Sequence, residues 1–192
     1  MTKILFICHG NICRSPMAEF VMRDMVEKAG LPDQFLIESA ATSTEELGNP
    51  VYPPVRRLLT QRGIDCTGKT ARQLVRADLD RFDLLIGMDE ANLRNMRRML
   101  LPSGGTGNAA VPQGAERTFR STSCPGVPDA DAPGREDASP GSAQKLYLLL
   151  DFTDHPRSVA DPWYTRDFEA TWRDINDGCR GLLQALRTAG QI

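Results

Sequence analysis

Lys3-Ile4-Leu5-Phe6-Ile7-Cys8-His9-Gly10-Asn11-Ile12-Cys13-Arg14-Ser15-Pro16 is the stretch from which the rest of the chain can be read. Ile4 to Ile7 is an unbroken apolar run rich in β-branched residues, the pattern of a strand buried on both faces of a parallel sheet. A polar loop, Cys8 to Arg14, follows it. Ser15 and Pro16 then read as the cap and first position of a helix that runs through Phe20, Val21 and Met25 to a stop at Gly30. Strand, tight polar loop and helix in that order form half of a βαβ unit.

The same alternation continues outward. Phe35-Leu36-Ile37 reads as a second strand. Pro53 and Pro54 open a helix through Val55, Leu58 and Leu59 that ends near Gly63. Asp83 to Met88 is a third strand, and Asp89 caps a helix reaching Leu100. From about 102 to 142 the composition changes to Gly, Pro, Ser and Ala with almost no large apolar residue, which predicts a mobile insertion in a single domain of residues 1–192. Lys145 to Leu150 resumes as a fourth strand. Asp161-Pro162-Trp163-Tyr164 falls in the next loop, and a last helix runs from about Phe168 to Leu186. The expected fold is α/β, a four-stranded parallel sheet flanked by helices in three layers. In such sheets ligands bind beyond the carboxyl ends of the strands, where the Cys8 loop, the Met88-Asp89 turn and the Asp161 loop can meet.

Composition narrows the function. The 192 residues suffice for one domain with a core, and a net charge of -2 gives no basic field for nucleic acid or an anionic membrane. No apolar run approaches a membrane span, and the N-terminal run lacks the small-residue cleavage site of a signal peptide, so the expected location is cytoplasmic. Five cysteines at irregular spacing make no disulfide framework. With His9 and His155 the only histidines and no Cys-x2-Cys pair, neither a metal nor another cofactor is expected.

The loop itself suits an anion. Gly10 and Asn11 tolerate unusual dihedrals, so successive backbone N–H groups from His9 to Ser15 can turn inward at a helix N-terminus. Arg14 adds a planar fork of donors matched to phosphate oxygens. The same positive surroundings favour the thiolate of Cys8 and align it under a bound phosphate. Attack on a phosphate ester also needs a proton for the leaving oxygen. Asp161 is the candidate, because Pro162 biases it toward an extended conformation and Trp163 and Tyr164 beside it can stack on an aryl group. Asp129, Asp131, Asp154 and Asp167 compete by proximity in sequence but lack that setting.

These residues resemble the low-molecular-weight protein tyrosine phosphatases. The loop CHGNICRSP matches their Cys-x5-Arg-Ser loop, and ADPWY (Ala160 to Tyr164) matches their Asp-Pro-aromatic motif. Glu38 to Ser43 (ESAATS), Gly48 to Pro50 (GNP), Ala71 to Leu74 (ARQL) and Met88 to Leu93 (MDEANL) resemble further family segments in the right order. The resemblance implies a metal-free, two-step reaction on a tyrosine-phosphorylated protein, by a monomer or weak dimer. Cys8 attacks phosphorus, Arg14 and the loop amides (His9, Gly10, Asn11, Ile12, Cys13, Ser15) hold the phosphate, and Asp161 serves as acid and then base. Asn11, Ser15 and Ser39 form the network that shapes the loop. Cys13 matches the second loop cysteine, expected to guard Cys8 through a disulfide.

Three positions depart from the family. His9 replaces the usual apolar residue after the nucleophile and puts a titratable imidazole on one cleft wall. Glu45 stands at a usual aromatic wall position, which disfavours acidic peptides. Lys69 stands where a histidine is usual before the ARQ segment, so the loop network is wired differently. Two related chemistries stay open. An arginine-phosphate phosphatase is associated with Thr where this loop has Ile12. A thiol-dependent arsenate reductase needs further cysteines, with Cys66, Cys124 and Cys179 the candidates.

Overall fold

A computed structural model describes residues 1–101 and 145–192. The stretch read as an insertion at about 102–142 lies outside the described residues, as do Cys124, Asp129 and Asp131. Four parallel strands, β1 (Thr2–Cys8), β2 (Phe35–Ala41), β3 (Leu84–Gly87) and β4 (Leu146–Leu148), form one sheet in the order β2-β1-β3-β4. Residue Ile4 pairs with Ile37 on one side and Leu84 on the other, and Leu85 pairs with Leu146. The helices are α1 (Arg14–Lys28), α2 (Pro53–Gln61), α3 (Asp78–Arg81), α4 (Glu90–Leu100), α5 (Pro162–Thr165) and α6 (Phe168–Thr188).

The apolar run of β1 splits between two cores because side chains alternate across a strand. Ile4, Phe6 and Cys8 join Met17 and Met22 of α1, Leu59 of α2 and Ile175 of α6 on one face. Leu5 and Ile7 join Leu79 of α3, Phe82, and Leu93 and Met96 of α4 on the other. Both faces being covered is what an all-parallel sheet requires, and it is why β1 carries no polar residue between Ile4 and Ile7.

The expected architecture holds, with local differences. Strand β2 extends to Ala41, its whole length paired with β1, so that Ser39 lies opposite Phe6. Strand β4 is shorter than expected: after Leu148 the chain tightens into a 3-10 turn, Leu149–Phe152. That turn packs hard against α6, where a Cβ on Gly178 would lie 2.5 Å from Leu149 Cγ and one on Gly181 would lie 2.0 Å from the Phe152 carbonyl oxygen. The two glycines therefore permit a close approach that no larger residue would allow. Ser15 is not the cap of α1. Cys13 occupies that position without a capping bond, and Ser15 falls in the first turn with its hydroxyl engaged elsewhere. Pro16 sits in that same turn, where its missing N–H has no helical partner to lose. The short helices α3 and α5 had no counterpart in the sequence reading.

Candidate active site

Cys8 ends β1, buried, at the carboxyl edge of the sheet. Its sulfur accepts a hydrogen bond from the Asn11 backbone N–H at 3.3 Å and lies 3.0 Å from Ser15 Oγ. The loop can curl back in this way because Asn11 adopts φ 57°, a left-handed conformation rare outside glycine. Its side chain holds that geometry. Asn11 Nδ2 donates to Ser15 Oγ at 2.9 Å and to Ser39 Oγ at 2.8 Å, while Oδ1 accepts from the Arg72 N–H at 3.1 Å. The loop is further tied to its surroundings by backbone bonds from Thr42 to the Cys8 carbonyl, Ser43 to His9 and Tyr52 to Ile12.

Arg14 opens α1 and is almost wholly buried. Its Nη1 donates to Asp89 Oδ2 at 2.5 Å and to the Val159 carbonyl at 3.2 Å, and its Nη2 donates to Asp161 Oδ2. Burial opposes the guanidinium charge, but Cys8, Asp161 and Asp89 together outweigh it and push the Arg14 pKa above its ordinary value. The neighbouring Cys13 thiol behaves oppositely. Burial, reinforced by Cys8 and Asp161, pushes it up to about 12, so it stays protonated at neutral pH.

Asp161 caps α5, accepting from the Trp163 N–H at 3.0 Å, with Pro162 at the first helical position. Its φ of −80° and ψ of 115° are the extended conformation expected before proline. Asp89, at the end of β3, caps α4 by accepting from the Asn92 N–H at 2.7 Å.

Between these elements lies a cleft of about 340 Å³. Cys8, His9, Gly10, Ile12, Cys13 and Arg14 line its floor and one side, and Asp161, Trp163 and Tyr164 line another. The side chains of Asn11, Ser15 and Ser39 lie buried in the hydrogen-bonded network with Cys8 rather than in the cleft lining. Glu45 stands at the mouth with its Oε2 3.1 Å from His9 Nε2, and Glu46 lies beside Gly10. Trp163 packs on Tyr52 with ring centroids 5.5 Å apart, whereas Tyr164 is mostly in solvent. Lys69 reaches under the loop to Glu19 and to the Ser39 carbonyl. Asp154 and Asp167 are not in the lining, and Asp167 is engaged in capping α6.

Two contributors escaped the sequence reading. Asp89 was expected as a helix cap in a turn that can meet the Cys8 loop, but not as a partner of Arg14, which it holds. Its place after β3, on the edge where ligands bind, was the available signal. Glu19 reads in sequence as an ordinary helix carboxylate, and nothing local marks it as buried.

A sequence model described as low molecular weight phosphotyrosine protein phosphatase matches residues 3–120. The chain is 31% identical, over the full length of both proteins, to the low molecular weight protein-tyrosine-phosphatase YfkJ of Bacillus subtilis. The crystal structure of YfkJ superimposes with a TM-score of 0.73, covering 98% of this chain and 96% of that one. A low molecular weight protein tyrosine phosphatase from Streptococcus pyogenes superimposes with a TM-score of 0.67 at 33% identity, covering 97% and 93%. The low molecular weight phosphotyrosine protein phosphatase of Rattus norvegicus is 45% identical over 50% of this chain and 60% of its own. With its sheet, its loop after β1 and its motifs in common with these proteins, the chain belongs to the low molecular weight phosphotyrosine protein phosphatase family.

Proposed function

We propose that this protein hydrolyses phosphotyrosine in protein substrates, and small aryl phosphates, through a phosphocysteine intermediate on Cys8. The observation that carries the reading is the convergence on one cleft of the Cys8 sulfur, the buried Arg14 guanidinium and the Asp161 carboxyl. In the first step the Cys8 thiolate attacks phosphorus. The P–S bond forms, the P–O ester bond breaks, and the phenolic oxygen takes a proton from Asp161. Arg14 and the loop amides hold the three equatorial oxygens. The incoming phosphate takes over Arg14 donors now given to carboxylates, which frees Asp161 to face the leaving oxygen. In the second step Asp161 accepts a proton from water as the water oxygen attacks phosphorus. The P–S bond breaks, inorganic phosphate leaves, and the thiolate is restored.

Ile12 in the cleft lining, with Trp163 and Tyr164 also lining it, supports an aryl ester over arginine phosphate. Among the described residues only Cys8 and Cys13 bring a thiol to the cleft, while Cys66 and Cys179 are buried in the core. That favours hydrolysis over a thiol-relay reduction. Among the described residues no helix is long and apolar enough to cross a membrane. The test is hydrolysis of an aryl phosphate in the presence of a chelator. Wild type turns over, Cys8→Ser does not, and Asp161→Ala is strongly slowed. Turnover retained by Cys8→Ser refutes the reading.

A further inference from the structure

Two demands on Asp161 pull against each other. Its carboxyl gives up Arg14 when phosphate binds, and it must then stand at the leaving oxygen. A second tie of the same segment also goes to Arg14, whose Nη1 donates to the Val159 carbonyl at 3.2 Å. The arginine that phosphate engages is therefore a poor sole anchor for the proton donor.

Ahead of Asp161 the other ties run elsewhere. The Val159 N–H donates to the Met88 carbonyl at 2.8 Å, just past β3. Both terminal nitrogens of Arg157 meet Asp174 of α6, Nη1 to Oδ2 and Nη2 to Oδ1, each at 2.6 Å. Thr171, wholly buried on the same helix, points Oγ1 at the Ala160 carbonyl at 3.3 Å. That hydroxyl also lies 3.1 Å from the Asp167 carbonyl, so its one proton is shared between a helix bond and the segment. Thr171 and Asp174 are three residues apart and hence neighbours on one face of α6. The helix is a firm base, because it buries Ile175, Cys179 and Leu182 and is closely packed at Gly178 and Gly181.

The Arg157 side chain is 55% exposed and that of Asp174 13%, and an ion pair this open adds little to stability. Its two-pronged geometry fixes a direction instead. Asp174, by hydrogen bond and charge, and Asp177 beyond it hold the Arg157 pKa above its ordinary value.

We propose that Arg157, Thr171 and Asp174 are positioning residues for Asp161, holding the segment ahead of it onto α6 so that its carboxyl stays aimed at the leaving oxygen once phosphate has taken Arg14. The proposal rests on Asp161 being the proton donor.

The test is kcat/KM on two aryl phosphates. Phenyl phosphate releases a basic phenolate that needs a proton, and dinitrophenyl phosphate releases one that does not. In Arg157→Met, kcat/KM on phenyl phosphate falls about fivefold and on dinitrophenyl phosphate stays within about twofold of wild type, with little change in melting temperature. Asp174→Asn shows the same pattern at about threefold, since Asp177 still attracts Arg157. The double variant falls no further than Arg157→Met, because both residues act through one ion pair. Thr171→Val keeps the shape, loses the bond to Ala160, and is again selective for phenyl phosphate. If Thr171→Val fails to fold by circular dichroism, the exposed Arg157 decides the matter. Equal losses on both substrates, or none, in the folded variants overturn the proposal. Asp161→Ala is the reference: selective loss there with none in Arg157→Met sinks the positioning role alone. Equal loss on both substrates in Asp161→Ala would refute the proton-donor reading, and the proposal with it.

Discussion

Asp161 is bonded to Arg14 in the resting molecule, through the carboxyl oxygen that the Trp163 N–H does not hold. On the proposed mechanism, the proton donor and the phosphate clamp thus occupy each other until substrate arrives. In that mechanism binding exchanges one anion on Arg14 for another and releases the carboxyl in the same event.

This relationship separates two effects of removing Asp161. In Asp161→Ala kcat on an aryl phosphate falls about 10² to 10³-fold, the usual weight of a general acid. Inorganic phosphate, as a competitive inhibitor, binds at least as tightly as to wild type, because Arg14 no longer gives up a carboxylate. Inhibition constants from steady-state kinetics check this, and clearly weaker phosphate binding contradicts it.

Asp89 carries two duties that substitution can divide. Its Oδ1 caps α4 and its Oδ2 holds Arg14. Asp89→Asn keeps a capping oxygen but loses the charge on Arg14, so kcat/KM falls about tenfold while the melting temperature changes little. Asp89→Ala loses both, and costs about 1 kcal/mol of stability in addition. Equal melting temperatures for the two variants would show that the cap is not where the stability lies.

Most of the frame that holds these groups was legible in the chain. Ile4 to Ile7 read as a doubly buried strand, and Gly10 and Asn11 as residues of a tight loop, so the sheet and the loop after β1 followed. What escaped had no local signature. The helices α3 and α5 are four residues each, too short to show a period. Ser15 looked like a cap because serine usually is one, but its hydroxyl is 3.0 Å from a sulfur instead. The Arg14–Asp89 pair joins residues 75 positions apart, and the buried Glu19 meets Lys69 from a distant segment. Tertiary partners of that kind are set by the topology, which brings strand ends together without leaving a pattern in sequence.

Cys13 gives a redox prediction. Its thiol, held protonated by burial, is a poor target for peroxide, so Cys8 is oxidised first, to a sulfenic acid. Cys13 then condenses with it, forming the S–S bond and releasing water. Wild type inactivated by peroxide recovers fully with a thiol reductant. Cys13→Ser loses activity irreversibly on longer exposure, as Cys8 proceeds to the sulfinic acid. Full recovery of Cys13→Ser would exclude the guarding role.

The same thiol sets an alkaline limit on stability. Its folded pKa lies above that of an unfolded cysteine, so the folded state retains the proton longer. The stabilisation is complete below about pH 8.5, the ordinary thiol value, and is lost as pH rises toward the folded value of about 12. Urea unfolding midpoints of wild type therefore fall above about pH 8.5 more steeply than those of Cys13→Ser.

The mouth of the cleft predicts selectivity. Glu45 and Glu46 stand there, with the exposed His9 imidazole against Glu45. Phosphotyrosyl peptides with basic neighbours are turned over faster than acidic ones, and the difference shrinks with added salt. Glu45→Gln raises kcat/KM on an acidic peptide by about twofold to fivefold and leaves a small aryl phosphate unaffected. A peptide panel at two ionic strengths measures both.

The central claim is that phosphate passes through sulfur on Cys8. Acid quenching of the enzyme during turnover of an aryl phosphate, followed by peptide mass spectrometry, tests it most directly. The account predicts a phosphoryl adduct on Cys8 that is absent from Cys8→Ser, which is inactive. An adduct on another residue, or hydrolysis that survives in Cys8→Ser, would contradict it.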